Sequence, residues 1–265
     1  MSTAPESNFD TAHPEPVVVV EDLRMAYERK LIQKDVSFTV NKGQVFIIMG
    51  GSGCGKSTLL KHMVGLQEPL AGSVRYGRLN FWDADAEEQD EMRKRFGVLF
   101  QSGALFSTLT LAENVMMPLA LHGTQKNRAE RHDRAMELLE LMGLAEAADL
   151  QPSEISGGMR KRAGLARALA LDPEILFLDE PSAGLDPISS RKLDDLILSL
   201  RDRTGAAIVV VTHELQSLFA IGDSGIFLDA ESKRPIAYGS PKYMLENSDH
   251  PFVQAFLKRE VPLES

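Results

Sequence analysis

Cysteine is almost missing from this chain: 265 residues carry one, Cys54. A single thiol cannot close an intrachain disulfide, so a disulfide-stapled secreted scaffold is excluded and a reducing compartment is compatible. Long apolar runs are missing too. Runs such as residues 17–20 and 208–211 are strand-sized, far below the roughly 20 residues that a spanning helix needs. Work at a membrane would require a partner that spans it. Basic residues are in the minority, 29 Lys and Arg against 38 Asp and Glu, for a net charge of −9. That balance argues against nucleic acid as the main partner, because phosphate backbones recruit basic surfaces. The start lacks a basic stretch followed by a long apolar one. Residues 1–16 are polar, acidic and proline-bearing, and are expected to be a disordered lead-in rather than a secretory signal. Internal repeats and low-complexity tracts are absent. What is present is an ordinary globular composition, 43% hydrophobic and 25% charged. The length fits one domain, or one domain with a subdomain.

Short strand-like runs fill residues 17–48: 17–20, a segment near Tyr27, 37–40 and 45–48, with Gly43 as a turn signal before the last. The run 45–48 is apolar throughout, as in a parallel strand buried on both faces. A glycine-rich loop follows, then a helix over 58–64 that Gly65 ends. The acidic stretch 82–91 is expected to be solvated surface, and 96–100 another strand. Residues 102–154 look like a helical insert. Helical apolar spacing at Met136, Leu139 and Leu138/Met142 predicts a helix over 127–142, ended by Gly143. Sheet-like sequence returns at 175–178 and 207–211, separated by a helix near 191–201. Gly239 and Pro241 close this core, and 242–260 is expected to be helical with a break near Pro251. The alternation of strands and helices predicts an α/β fold with a mainly parallel sheet.

The strongest local signal is Gly50-Gly51-Ser52-Gly53-Cys54-Gly55-Lys56-Ser57. It matches the phosphate-loop pattern G-x-x-x-x-G-K-[ST], set between a predicted strand and a predicted helix, the context such a loop requires. Glycines let backbone N–H groups turn inward around a β-phosphate, and the helix N-terminus adds partial positive charge. Lys56 is placed to reach the β- and γ-phosphates, the Ser57 hydroxyl to ligate Mg²⁺, and Thr58 to complete the cradle. Cys54 lies near both the helix N-terminus and Lys56, a setting that favours thiolate and predicts a reactive thiol.

A second signal is the apolar run 175–178, which ends in Asp179 and Glu180. Asp179 is expected to hold Mg²⁺ through water, and Glu180 to polarise an attacking water as general base. By itself this would read equally well as a strand ending in a solvated acidic turn.

Ser156-Gly157-Gly158-Met159-Arg160 then precedes that strand, and this segment resembles the signature sequence of ABC ATPases. It departs from the commonest form at Ile155 and Met159, while the serine and both glycines remain. Ser156 can cap the helix that follows, and the two glycines expose N–H groups to an anion. The other positions that the family uses stand in order. Tyr27 resembles the aromatic that stacks on adenine. Gln101 resembles the glutamine that senses Mg²⁺ and couples to the transmembrane partner. Residues 182–186, ending in Asp186, resemble the dimer-contact loop, and His213 the histidine that contacts the γ-phosphate. His62, His122, His132 and His250 have no such context. The resemblance implies a P-loop NTPase core with a small antiparallel β subdomain and an inserted α-helical subdomain. It places the ATPase domain at 17–241, its helical part at about 102–156, and a C-terminal helical segment at 242–265. It implies ATP and Mg²⁺ as cofactors and a homodimer that closes around two nucleotides. Each site would take Tyr27, Lys56, Ser57, Gln101, Asp179, Glu180 and His213 from one copy, and Ser156, Gly158 and Asp186 from the other.

Residues 99–106, with Glu113-Asn114-Val115 and Pro118-Leu119, resemble the ATPase subunits of MCE-type (Mla-type) lipid-transport systems, a group that the Met159 variant also fits. That resemblance implies integral-membrane permease subunits, a periplasmic MCE-type protein, phospholipid or another hydrophobic cargo, and a place at the cytoplasmic face of the inner membrane. The alternatives are another class of ABC transporter, a soluble ABC ATPase acting on nucleic acid or ribosomes, and a non-catalytic interaction module. Lys56 and Ser156 lie too close in sequence to hold the long coiled coil of chromosome-type ABC ATPases. A non-catalytic module would be expected to lose Lys56, Asp179, Glu180 or His213, and all four are present.

Overall fold

Two long strands of alternating burial lead the described chain. The computed structural model describes residues 15–27, 30–125 and 127–260. The expected lead-in therefore lies outside the described residues except for its last two, and Pro16 already opens a strand. That strand, β1 (Pro16–Tyr27), runs through both short segments expected at 17–20 and near Tyr27 and pairs antiparallel with β2 (Lys30–Asn41). Register shifts interrupt the ladder, and Asp22 and Asp35 take positive φ beside them, which makes the ribbon twist. Next come β3 (Val45–Gly50), α1 (Lys56–Met63), β4 (Ala71–Tyr76) and β5 (Leu79–Asn80).

The acidic stretch expected to be plain surface holds a helix, α2 (Ala86–Lys94). The Asp85 carboxylate accepts from the Glu88 N–H, and Glu88 returns a bond to the Asp85 N–H. Of its residues only Met92 is buried, so the segment is both solvated and helical. After β6 (Phe96–Leu99) come α3 (Leu111–His122) and α4 (Arg128–Leu141). Asn127 caps α4 and Gly143, at φ +65, follows its end, close to the span expected from apolar spacing. The remaining elements are α5 (Gly157–Ala168), β7 (Ile175–Asp179), α6 (Pro187–Thr204), β8 (Ala207–Val211), α7 (Leu215–Ile221), β9 (Ser224–Leu228), β10 (Pro235–Tyr238), α8 (Pro241–Asn247) and α9 (Pro251–Lys258). Prolines at the starts of α6, α8 and α9 sit where a helix has no use for an N–H donor.

The strands form two sheets. One is antiparallel in the order β2-β1-β4-β5. The other runs β10-β9-β3-β8-β7-β6, parallel from β9 to β6 with β10 antiparallel at its edge. The parallel sheet is buried on both faces, and the period of two decides which core each side chain joins. On β3, Val45, Ile47 and Met49 face the helices, while Phe46 and Ile48 face the antiparallel sheet and α1. On β7, Leu176 and Leu178 divide from Ile175 and Phe177 in the same way, and on β8 Ile208 and Val210 from Ala207, Val209 and Val211. Each of the larger of these, Val, Leu, Ile, Phe or Met, stabilises the fold by about 1.5–3 kcal/mol before conformational entropy is charged against it. The two cores hold the C-terminal ends of β3, β7 and β8 side by side, which is where ligands bind in open parallel sheets.

Candidate active site

The phosphate-binding loop is built by the turn between β3 and α1. Gly50 closes β3 at φ +142, and a Cβ there would strike the Leu228 carbonyl oxygen and approach Cys54 Sγ to 2.6 Å. Gly55 caps α1 at φ +100, where a Cβ would lie 2.5 Å from Ile32 Cγ2. Both positions demand glycine for conformation and for space. Between them the loop wraps the Lys56 ammonium, which donates to the Gly50 carbonyl at 2.8 Å and the Gly51 carbonyl at 2.9 Å. Buried Gln33 clamps the loop from outside. Its Nε2 donates to the Cys54 carbonyl at 2.8 Å and the Asp229 carbonyl at 2.7 Å, so β2, the loop and the end of β9 are tied by one side chain.

This loop lines a cavity of about 1100 Å³. Gly50, Gly51, Ser52, Gly53, Gly55, Lys56, Ser57 and Thr58 contribute to its wall, and so do Tyr27, Gln101, Glu180 and His213. Residues distant in sequence thus meet at one opening. Tyr27 ends β1 with its side chain exposed. Gln101 follows β6, and the loop after it is pinned by buried Asn114, which exchanges hydrogen bonds with the Phe106 N–H at 2.8 Å and carbonyl at 3.1 Å.

Cys54 does not line the cavity. Its side chain turns into the core between the sheets, 1% exposed. Burial pushes its thiol above the ordinary range, and nearby Lys56 pulls it back only in part. The reactive thiolate expected from its neighbours in sequence is therefore corrected: desolvation outweighs the ammonium and the helix terminus.

The acidic pair sits where β7 meets the loop. Ser57 Oγ donates to Asp179 Oδ1 at 3.1 Å, so the two expected metal ligands are already in contact. Burial raises the Asp179 carboxyl, the Ser57 bond lowers it, and the charge of Glu180 raises it again. Glu180 has φ +48. Its N–H donates to the Val211 carbonyl at 2.8 Å, and its Oε1 lies 2.7 Å from His213 Nδ1. Its Oε2 is buried and, among the described residues, has no hydrogen-bond partner. That acceptor is left for a water or a substrate hydroxyl. Lys161 of α5 completes the group. It is 6% exposed, and its Nζ donates to the Glu180 carbonyl at 2.8 Å. Burial lowers its affinity for the proton, and Glu180, Asp179 and Glu214 oppose that shift.

Mg²⁺ suits these donors. Ser57, Asp179 and Gln101 offer hard oxygens, and Mg²⁺ takes oxygen ligands, usually one or two carboxylates with phosphate and water for the rest. Among the described residues no group of three or more His, Cys, Asp or Glu could form a metal cage. The donor set therefore fits an ion that arrives with phosphates.

The remaining expected residues stand elsewhere. Ser156, Gly157, Gly158 and Asp186 line a separate cavity of about 560 Å³ with Gly184 and Leu185. Ser156 caps α5 by accepting from the Met159 N–H at 3.2 Å. Asp186 caps α6 by accepting from the Ile188 and Ser189 N–H groups at 3.0 Å. The Ser189 hydroxyl and these N–H groups hold its carboxyl below the usual range. Within one chain this cluster does not reach the phosphate-loop cavity. Sequence reasoning passed over Gln33 and Lys161. Each is a buried polar residue, and its role becomes specific only when its distant partner is known.

Residues 33–183 match the family model described as ABC transporter. The chain is 41% identical over 240 residues to the probable ribonucleotide transport ATP-binding protein mkl of Mycobacterium tuberculosis, covering 91% of this chain and 66% of that relative, just under two thirds of its length. It is 39% identical over 241 residues to the intermembrane phospholipid transport system ATP-binding protein MlaF of Escherichia coli, covering 91% of this chain and 88% of MlaF. Among solved structures, a dimeric ATP-binding cassette in a post-hydrolysis state with ADP and Pi superposes with a TM-score of 0.76 at 30% identity, covering 84% of this chain and 98% of the cassette. With the phosphate loop, Glu180 and His213 gathered at one cavity and Asp179 bonded to Ser57 in its wall, and with these likenesses spanning most of the chain, the protein belongs to the ABC transporter family.

Proposed function

We propose that the chain is the ATP-binding and ATP-hydrolysing subunit that drives an ABC transporter, and that it works as a head-to-tail homodimer. One observation carries this reading: the nucleotide machinery is divided between two cavities on one chain, the phosphate-loop cavity and the Ser156–Asp186 cavity. Two copies facing each other would complete two sites.

In each site the N–H groups of the loop and Lys56 hold the phosphates, and Tyr27 stacks on the base. Ser57, Gln101 and Asp179 would hold Mg²⁺, which when bound would draw charge from the β- and γ-phosphates. Glu180 takes the proton of the attacking water at its carboxylate, and His213 orients that carboxylate and faces the γ-phosphate. Ser156, Gly157, Gly158 and Asp186 of the other copy close over the γ-phosphate. The ATPase domain spans 17–241. Its helical part, about 102–156, moves on closure, and the C-terminal helical segment from 242 holds most of α8 and all of α9, its last residues, 261–265, lying outside the described residues.

Permease subunits are the partners that hold the protein at the cytoplasmic face of the inner membrane. Among the described residues no helix is long and apolar enough to cross a membrane. The cargo is phospholipid or another hydrophobic molecule, with an MCE-type protein on the periplasmic side. The identity to MlaF and the stretch 99–119 support this reading. The name of the mycobacterial relative points instead to ribonucleotide. Identifying the membrane chain that co-purifies from detergent-solubilised membranes, together with its bound lipid, tests the assignment; a nucleotide-specific permease without lipid would refute it.

The shared-site arrangement is tested by mixing two inactive variants. Lys56→Ala removes a phosphate contact from one half-site, and Ser156→Arg blocks the other. Each alone is inactive, whereas a mixed dimer holds one intact composite site and regains part of the turnover. Mixed dimers of demonstrated composition that show no recovery would refute shared sites.

A further inference from the structure

Glu180 is a non-glycine residue in left-handed backbone conformation, φ +48, and such a residue persists only where its surroundings over-determine it. Three contacts do so. The bond to the Val211 carbonyl comes from β8, and the bond to His213 from the residues just after that strand. The third comes from a different part of the molecule: Lys161, on the helix that begins at Gly157 under the Ser156 cap.

Lys161 is placed at a cost. One turn further along the same face, Gly164 and Leu165 are both buried, and an ammonium taken out of water is unfavourable unless it is paired. An apolar side chain of the same length would serve packing better. Its charge instead lies against a backbone oxygen, with Glu180, Asp179 and Glu214 in electrostatic reach. A bond from an ionised donor is among the stronger hydrogen bonds, and this one ends on the peptide that carries the catalytic carboxylate.

We infer that Lys161 is a positioning residue for hydrolysis, setting the carboxylate of Glu180 through the Glu180 backbone oxygen from the helix whose N-terminus faces the partner copy. The inference rests on the shared-site reading. Because α5 begins under the Ser156 cap, it joins the cluster that would face the partner copy to the Glu180 of its own chain.

The test is a double-mutant cycle on the full-length chain, read as steady-state phosphate release from MgATP. K161M keeps the stem and removes the donor. It is expected to lower kcat by about tenfold or more while the KM for MgATP stays within about twofold. In an E180Q background, where the group being positioned is gone, K161M is expected to produce no further loss, because two residues acting as a unit are non-additive. Thermal melting of each variant shows that it is folded, and K161L, which also lacks a donor, takes the place of K161M in the same cycle if K161M is not. Unchanged kcat, a KM that rises in step with the loss, or losses that multiply in the E180Q background would each overturn the role of Lys161 and leave the proposed function standing. Near-normal turnover by E180Q would instead remove the general base, and the inference with it.

Discussion

Replacing Glu180 by glutamine separates binding from chemistry at this site. Glutamine has the same reach and nearly the same volume. The bond from the Glu180 N–H to Val211, the bond from Lys161 and the left-handed backbone remain available to it. The side chain can also keep its 2.7 Å contact with His213, because an amide can accept from Nδ1 as a carboxylate does. What is lost is a carboxylate with a buried oxygen free to take a proton. Loss of a positioned general base typically lowers the rate by about 10²–10⁴-fold, which is roughly 3–5 kcal/mol of transition-state stabilisation. MgATP affinity should not fall, since the loop, Lys56 and Ser57 are untouched. It should rise in the dimer, because a neutral amide does not repel the γ-phosphate, and the closed dimer should accumulate. Phosphate release at saturating MgATP measures the first effect, equilibrium binding of a fluorescent nucleotide the second, and light scattering the third. Turnover within about tenfold of the wild type would refute the assignment of Glu180 as base.

Two further predictions rest on buried groups. Cys54 should react slowly with maleimide in the native, nucleotide-free protein and quickly in urea, because its thiol is 1% exposed and pushed up by burial; intact mass counts the adducts, and rapid native labelling would refute the orientation of the loop. Asp194 on α6 is buried, Oδ1 has no hydrogen-bond partner among the described residues, and burial raises its carboxyl from 3.8 to about 6. The folded state therefore holds this proton more tightly than the unfolded chain. The group costs nothing well below about pH 4 and progressively more up to about pH 6, above which the full penalty of about 3 kcal/mol stands. Asp194→Asn should raise the melting temperature at pH 7.5 and lose most of that gain at pH 4; an equal difference at both pH values would refute the burial argument.

Much of the site could be read before any fold was known, because it is written in contiguous residues. The phosphate loop needs two glycines for its backbone and a lysine and serine at set offsets, all within eight positions. The Asp179–Glu180 pair ends a fully apolar run, and α4 carries its own period, cap and terminating glycine. Other elements could not be read this way. β4, β9 and β10 are short, and their burial depends on which strand lies beside them. The acidic α2 has one buried residue, so its periodic signal was weak, although its Asp85–Glu88 cap was present in the sequence. Cys54 was misread because its neighbours in sequence, Lys56 and a helix terminus, point to a low pKa, while its neighbours in space are the apolar core between the sheets.

The family, the α/β alternation and the residues of the phosphate-loop pattern are legible in the sequence alone, because these follow from local offsets that a turn or a strand end enforces. Tertiary structure decided which of those groups meet. Ser57 meets Asp179 across 122 positions and Glu180 meets His213 across 33, since parallel strands bring their C-terminal ends together whatever lies between them in the chain. It also decided that Ser156 and Asp186 stand apart from the loop, and that Gln33 and Lys161 brace it and Glu180. A buried polar side chain acquires a role only from the partner that satisfies it, and that partner is chosen by the packing of the whole molecule.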